Sequence, residues 1–177
     1  MMNIPEYIKI IKRGAICCVL FFTLLSHSYA GQQVETGVSG KPLMLYFRFD
    51  KALVDSGYMD NSRTLRHIDE MLTDHQLCGR IDSINIFSFA SPDGNRAYNE
   101  RLARQRSMAV RGYLIWKYPH LDQYCIHSRP QGENWQELRR LIVSDRNLPD
   151  REEVLQIIDR HKEPERCKAL LKKLDGG

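Results

Sequence analysis

Residues 90–114, ASPDGNRAYNERLARQRSMAVRGYL, decide the fold. They open at the end of an apolar run in which Ile81, Ile84, Ile86, Phe87 and Phe89 suit a strand. Ala90-Ser91-Pro92-Asp93-Gly94-Asn95 is turn chemistry, because glycine accepts tight backbone angles and short polar side chains bond nearby main chain. From about Asn99 the apolar positions Leu102, Ala109, Val110, Tyr113, Leu114 and Ile115 keep a period near 3.6, which predicts a helix that Tyr118-Pro119 stops. The segment reads strand, turn, helix.

Working outward, the same unit occurs once before this segment and in part after it. Leu43 to Asp50, LMLYFRFD, is an apolar and aromatic run bounded by Pro42, and it predicts a buried strand. Leu65, Ile68, Met71, Leu72 and His75 recur at helical spacing within Asn61 to Leu77, with Asp60, Asn61 and Ser62 as candidate caps and Gly79 as terminator. Downstream, Ile126 to Pro130 reads as a short third strand. After Gly132-Glu133-Asn134-Trp135, helical patterns run from Trp135 to Val143, from Arg151 to His161 and from Pro164 to Leu174. Strands alternating with helices need crossover connections, so the expected fold is α+β (α/β-like), a β-α-β-α-β unit with helices on a small mixed sheet and extra carboxyl-terminal helices. The boundaries read as one domain over 43–133 and a helical extension over 134–177.

The amino terminus reads differently. Lys9, Lys12 and Arg13 precede an apolar stretch, AICCVLFFTLL, which leads to the small-residue sequence Ser28-Tyr29-Ala30. That order is the order of a secretory signal peptide over 1–30, with cleavage expected before Gly31. An apolar core of roughly eleven residues is too short for a bilayer span of about 20. A lipid-anchored reading through Cys17 or Cys18 would leave most of the apolar run behind the modified residue. Residues 31–42, GQQVETGVSGKP, lack periodicity and read as a flexible leader.

Export bounds the function. The formal charge of +4 falls to +2 without Glu6, Lys9, Lys12 and Arg13, so overall charge names no partner, and no nucleic acid is expected outside the cytoplasm. The sequence has no nucleophile elbow, no HExxH and no glycine-rich phosphate loop, so the expectation is a non-enzymatic protein without cofactor. Cys78, Cys125 and Cys167 follow the signal. An odd number in an oxidising compartment allows one pair and leaves one thiol over, while His75-x2-Cys78 and Cys125-x-His127 offer a looser zinc alternative.

A ligand site is expected where strand carboxyl ends meet a helix amino terminus, because backbone N–H groups and the helix dipole favour anions there. Ser91, Asp93 and Asn99 shape that place. Arg106 shares the core-facing stripe of Leu102, Ala109 and Tyr113, and a guanidinium on such a stripe needs a partner. The partner is either a carboxylate of the protein, such as Asp50 or Asp93, or one belonging to a ligand. Around it, residues 96–117 carry a local charge of +5, which reads as a solvated helix face or as an attraction for a carboxylate-bearing polymer.

Gly94, Asn99, Leu102, Arg106-Ser107 and Val110, with Phe47 and Phe49 on the opening strand, resemble the signature of the OmpA C-terminal-like, peptidoglycan-associating domain. The resemblance covers about Leu43 to Gly132. It implies a non-enzymatic module of the cell envelope, in the periplasm at the outer membrane, that binds the peptide stem of peptidoglycan. In that family the arginine matching Arg106 grips a diaminopimelate carboxylate together with an aspartate on the preceding loop. That aspartate position falls on Ser91 here, and Asp93 is the nearby acidic residue. The Ala-Ser-Pro-acidic-Gly loop, with Gly132-Glu133-Asn134-Trp135 and Pro149-Asp150-Arg151-Glu152-Glu153-Val154-Leu155, is similar to a variant branch found in envelope and fimbria-associated proteins. Members of that branch usually continue past the position of Gly177, so the resemblance implies a truncated or shortened version. It also implies outer-membrane or fimbrial proteins as alternative partners, and a disulfide between Cys78 and Cys125.

Overall fold

The structure, a computed structural model, describes the backbone of residues 16–24 and residues 42–174. The basic start of the expected signal, its Ser28-Tyr29-Ala30 cleavage sequence, the leader up to residue 41 and the last three residues lie outside the described residues.

The fold is mixed α+β. Strands β1 (Ile16–Leu24), β2 (Leu43–Phe47), β3 (Ile81–Ala90) and β4 (Ile126–Glu133) form one sheet in the order β2-β1-β3-β4. Helix α1 (Asn61–Thr73) and the single turn α2 (His75–Cys78) connect β2 to β3. Helix α3 (Arg96–Lys117) and a 3-10 turn (Gln123–Cys125) connect β3 to β4. Helices α4 (Trp135–Ser144), α5 (Arg151–Arg160) and α6 (Pro164–Leu174) complete the chain. Strand β4 is parallel to β3, and β1 is antiparallel to both β2 and β3. Hence β2, β3 and β4 share one direction, as their crossover helices require, and β1 runs against them.

The sheet is covered by helices on one face. On β3 Ile84, Ile86, Ser88 and Ala90 are buried while the alternate residues are half-buried, and on β2 Leu45 and Phe47 are the buried pair. These side chains meet Leu65, Ile68 and Leu72 of α1, Val110 and Leu114 of α3, and Tyr118. Each fully buried aliphatic side chain stabilises the fold by about 1.5–3 kcal/mol, so this layer carries the sheet. A second core lies between the last helices, where Leu138, Ile142, Leu148, Val154, Cys167 and Leu171 pack together.

Several boundaries differ from those the sequence predicts. The 61–77 helix breaks at Asp74, whose Oδ1 accepts from the backbone N–H of Gln76 and Leu77 and so caps a new turn. Helix α3 starts at Arg96, because Asn95 is its cap and accepts from the N–H of Tyr98. Strand β4 continues beyond Pro130 to Glu133. A proline is tolerated there because β4 is an edge strand, with one side of its backbone unpaired within the sheet.

The largest difference concerns β1. The sequence reading counts residues 16–24 as the apolar core of an export signal, outside the fold. In the structure their backbone pairs from Ile16 opposite Phe47 to Leu20 opposite Leu43, and from Cys18 opposite Ser88 to Leu24 opposite Ile81. An unbroken apolar run suits either state, since an interior strand shows no polar alternation. Among the described residues no helix is long and apolar enough to cross a membrane.

Candidate functional site

The loops that follow β2 and β3, two strands separated in the sheet by β1, meet the amino terminus of α3 around a cavity of about 330 Å³. Phe49 and Asp50 line it from the first loop; Ser91, Asp93, Gly94 and Asn95 line it from the second; Tyr98, Asn99 and Leu102 line it from the helix. Three of the four expected binding residues, Ser91, Asp93 and Asn99, therefore line it. Gly94 turns the loop at a φ of +75°, a left-handed angle that glycine adopts without strain.

Arg106, the fourth, is not among the residues that line the cavity and is fully buried. Its Nε donates to the Lys51 carbonyl at 2.9 Å, its Nη1 to the Phe89 carbonyl at 2.9 Å and its Nη2 to the Arg48 carbonyl at 3.4 Å. Its guanidinium carbon stands 5.2 Å from the centroid of the Phe47 ring. The sequence predicts a carboxylate as its answer; the structure supplies main-chain carbonyls at the ends of β2 and β3. Tyr98, on the wall, has a phenol pKa raised chiefly by donating its hydrogen bond to Asp50, while the Arg101 and Arg106 charges pull it the other way.

Asp50 is the site residue that sequence reasoning missed, having considered it only as a partner for Arg106. It accepts from the Tyr98 hydroxyl at 2.6 Å and holds a φ of +56°, an angle that costs most residues free energy but is tolerated by aspartate. Its only signal in the sequence was its place at the carboxyl end of the first strand. Asp50 and Asp93 thus give the cavity two acidic lining residues.

Asn99 acts as a brace. It is 4% exposed and its Nδ2 donates to the Asp93 carbonyl at 2.7 Å and to Glu133 Oε1 at 2.8 Å. Glu133 Oε1 also accepts from Lys168 Nζ at 2.6 Å, and the same ammonium donates to the Gly94 carbonyl at 2.9 Å. Trp135 Nε1 donates to the other oxygen of Glu133 at 3.1 Å. The turn 91–95 is therefore held from behind by β4 and α6. Nothing in the local sequence of Lys168 announces this role, since its partners are 35 and 74 positions away.

The basic run of α3 resolves largely into internal contacts. Arg96 pairs with Glu100, Arg101 lies over the Tyr98 ring, Arg111 donates to the carbonyls of Gln123 and Ile126, and Lys117 pairs with Asp69. Cys78 and Cys125 are free thiols in the structure, so the disulfide implied for them is not formed here. Burial pushes both thiols up, and the Asp122 and Cys78 charges push Cys125 further. Cys167 is buried in the second core and its thiol is pushed up to about 11. Among the described residues no cluster of three or more histidines, cysteines or carboxylates forms a metal site.

Neither the models of known protein families nor the curated proteins with which the chain was compared match it.

Proposed function

We propose that the chain is a non-enzymatic protein of the cell envelope whose OmpA-like module links the outer membrane to peptidoglycan, with the cavity between β2, β3 and α3 as its wall-binding site. The observation that carries this reading is the charge arrangement. Asp50 and Asp93 line the cavity together with the first turn of α3, and the buried Arg106 guanidinium bonds the carbonyl of Lys51, the residue that follows Asp50. A diaminopimelate centre carries an ammonium and a carboxylate on one carbon, so it needs both signs within a few ångströms. Asp50 and Asp93 suit the ammonium, which offsets the serine at position 91. The helix terminus and the Arg106 field suit the carboxylate.

One observation favours a second reading. Arg106 already donates to three carbonyls and has no exposed surface. A module whose arginine is committed inward would be a structural or assembly protein of the outer membrane or a fimbrial system, its domain no longer holding the wall.

Sedimentation with purified peptidoglycan separates the two. Under the first reading the wild type co-sediments, and both Arg106→Ala and Asp93→Asn reduce the bound fraction at least about tenfold, the loss expected of one charge-assisted contact. Equal retention of all three removes the cavity from the account. Failure of the wild type to bind, with co-purification from membranes, selects the assembly protein.

A further inference from the structure

Asp50 is the third residue of a turn, Arg48-Phe49-Asp50-Lys51, which the Lys51 N–H closes by donating to the Arg48 carbonyl at 3.1 Å. Its φ of +56° is the positive angle that the third position of a type II turn takes. Glycine would adopt that angle without strain but would bring no carboxylate. Arg106 holds both ends of the turn. Its Nη2 donates to the Arg48 carbonyl and its Nε to the Lys51 carbonyl, while its Nη1 ties both to the Phe89 carbonyl of β3. The side chain of Asp50 is held separately, by the Tyr98 hydroxyl on Oδ1 at 2.6 Å, and its Oδ2 accepts from no donor among the described residues. The other acidic lining residue differs. Asp93 is held by its main-chain carbonyl, through Asn99, and its carboxylate accepts no hydrogen bond among the described residues.

We infer that Asp50 is the specificity-determining contact of the cavity, taking a primary ammonium of the wall peptide on Oδ2, and that Tyr98 and Arg106 are its positioning residues. The inference rests on the wall-binding reading and assigns the roles within it. A carboxylate fixed before the ligand arrives gives up little rotamer freedom on binding, so its contact is stronger than the same contact made by an unheld side chain. Arg106, with no exposed surface, acts through the main chain of 48–51 and touches no ligand. Tyr98 occupies one carboxylate oxygen and leaves the other for an N–H donor, which an amine supplies with charge and an acetylated amine does not.

The test compares retention on purified peptidoglycan with retention on the same peptidoglycan after its free amino groups have been acetylated. The ratio of the two is the readout, because a merely loosened fold weakens both alike. The wild type should favour the native wall about tenfold, the loss expected of one charge-assisted contact. Asp50→Asn should bring the ratio close to one, and Tyr98→Phe should lower it about threefold, with retention on the acetylated wall unchanged in both. Arg106→Lys keeps the charge but cannot reach both ends of the turn, so it too should lose the preference. Where that variant does not fold by circular dichroism, Tyr98→Phe, which removes one oxygen from an exposed side chain, decides alone. A wild type that holds both walls equally overturns the inference and leaves the wall-binding reading standing. So do Asp50→Asn and Tyr98→Phe variants that keep the full preference, or that weaken both walls alike. Full preference in a folded Arg106→Lys variant overturns the positioning role of Arg106. A wild type that holds neither wall overturns the reading and this inference with it.

Discussion

The two sides of β3 are joined to the sheet by different means. On one side β4 follows β3 through the covalent crossover of α3, and side chains reinforce the seam. Arg129 Nε donates to Asn85 at 2.7 Å, Arg111 reaches the Ile126 carbonyl, and the Asn134 N–H closes onto the Ala90 carbonyl at 2.9 Å. On the other side β1 arrives from beyond an eighteen-residue connection and contributes its backbone ladder. The β4 seam is thus secured by chain connectivity, and the β1 seam by continued presence of one segment. Independently of β1, the helical core that packs on both strands spans the gap, and Arg106 adds to it by donating to Arg48 and Lys51 beyond β2 and to Phe89 of β3.

Removing that span should have the largest effect. Arg106→Ala strips donors from three carbonyls, at about 1 kcal/mol each, and leaves a cavity, so a loss of about 3 kcal/mol or more is expected in urea unfolding. A loss under about 1 kcal/mol would show that β1 and the helical core hold β2 in place without it. A smaller effect is expected on the β4 side. Glu133→Gln keeps the shape but removes the charge facing Lys168, whose side chain is 15% exposed. A cost of about 1–2 kcal/mol is expected, together with faster amide exchange in the 91–95 turn. Exchange unchanged in that turn would show that α6 does not brace it.

The smallest effect lies at the far end of α3. Asp69 accepts from Lys117 at 3.0 Å and from the Tyr118 hydroxyl at 2.9 Å, and these hydrogen bonds hold its carboxyl below the ordinary 3.8. A depressed carboxylate contributes stability above the unfolded-state pKa and loses it as pH falls through the folded value. Asp69→Asn should therefore lower stability at pH 7 by less than about 1 kcal/mol, because the pair is solvent-screened, and by less still at pH 2.5. An equal loss at both pH values would assign the effect to the neutral hydrogen bond. At alkaline pH the Tyr118 phenol, pushed up to about 12 chiefly by burial, should ionise after ordinary tyrosines in an ultraviolet titration.

Much of this architecture was legible from periodicity. The stripe Leu65, Ile68 and Leu72 identified α1, the run from Leu102 to Leu114 identified α3, and Pro164 to Leu174 fixed α6 at both ends. The stripe also placed Arg106 in the interior. Its partners were not legible, because main-chain carbonyls exist at every position and carry no signature. That residues 16–24 pair within the sheet was not legible for a related reason. Export machinery and a sheet interior both select continuous apolar residues, so one pattern served two environments. Asn99 was read as a ligand contact or a cap, and its bonds to Asp93 and Glu133 depend on chain segments that only the fold brings together.

The register of β4 bears on how this protein can vary. Ser88 lies opposite Pro130 and Phe89 opposite Gly132, so Gln131 is one residue more than the ladder needs. That surplus sets which side of the strand Glu133 occupies, and so whether its carboxylate meets Asn99 and Lys168. The side chains at 127–131 are all exposed, and of these Arg129 is the one that also bonds across the seam, to Asn85. Losing a single codon there would turn Glu133 to the opposite face, and the turn that lines the cavity would lose its support without any change to a residue that lines it.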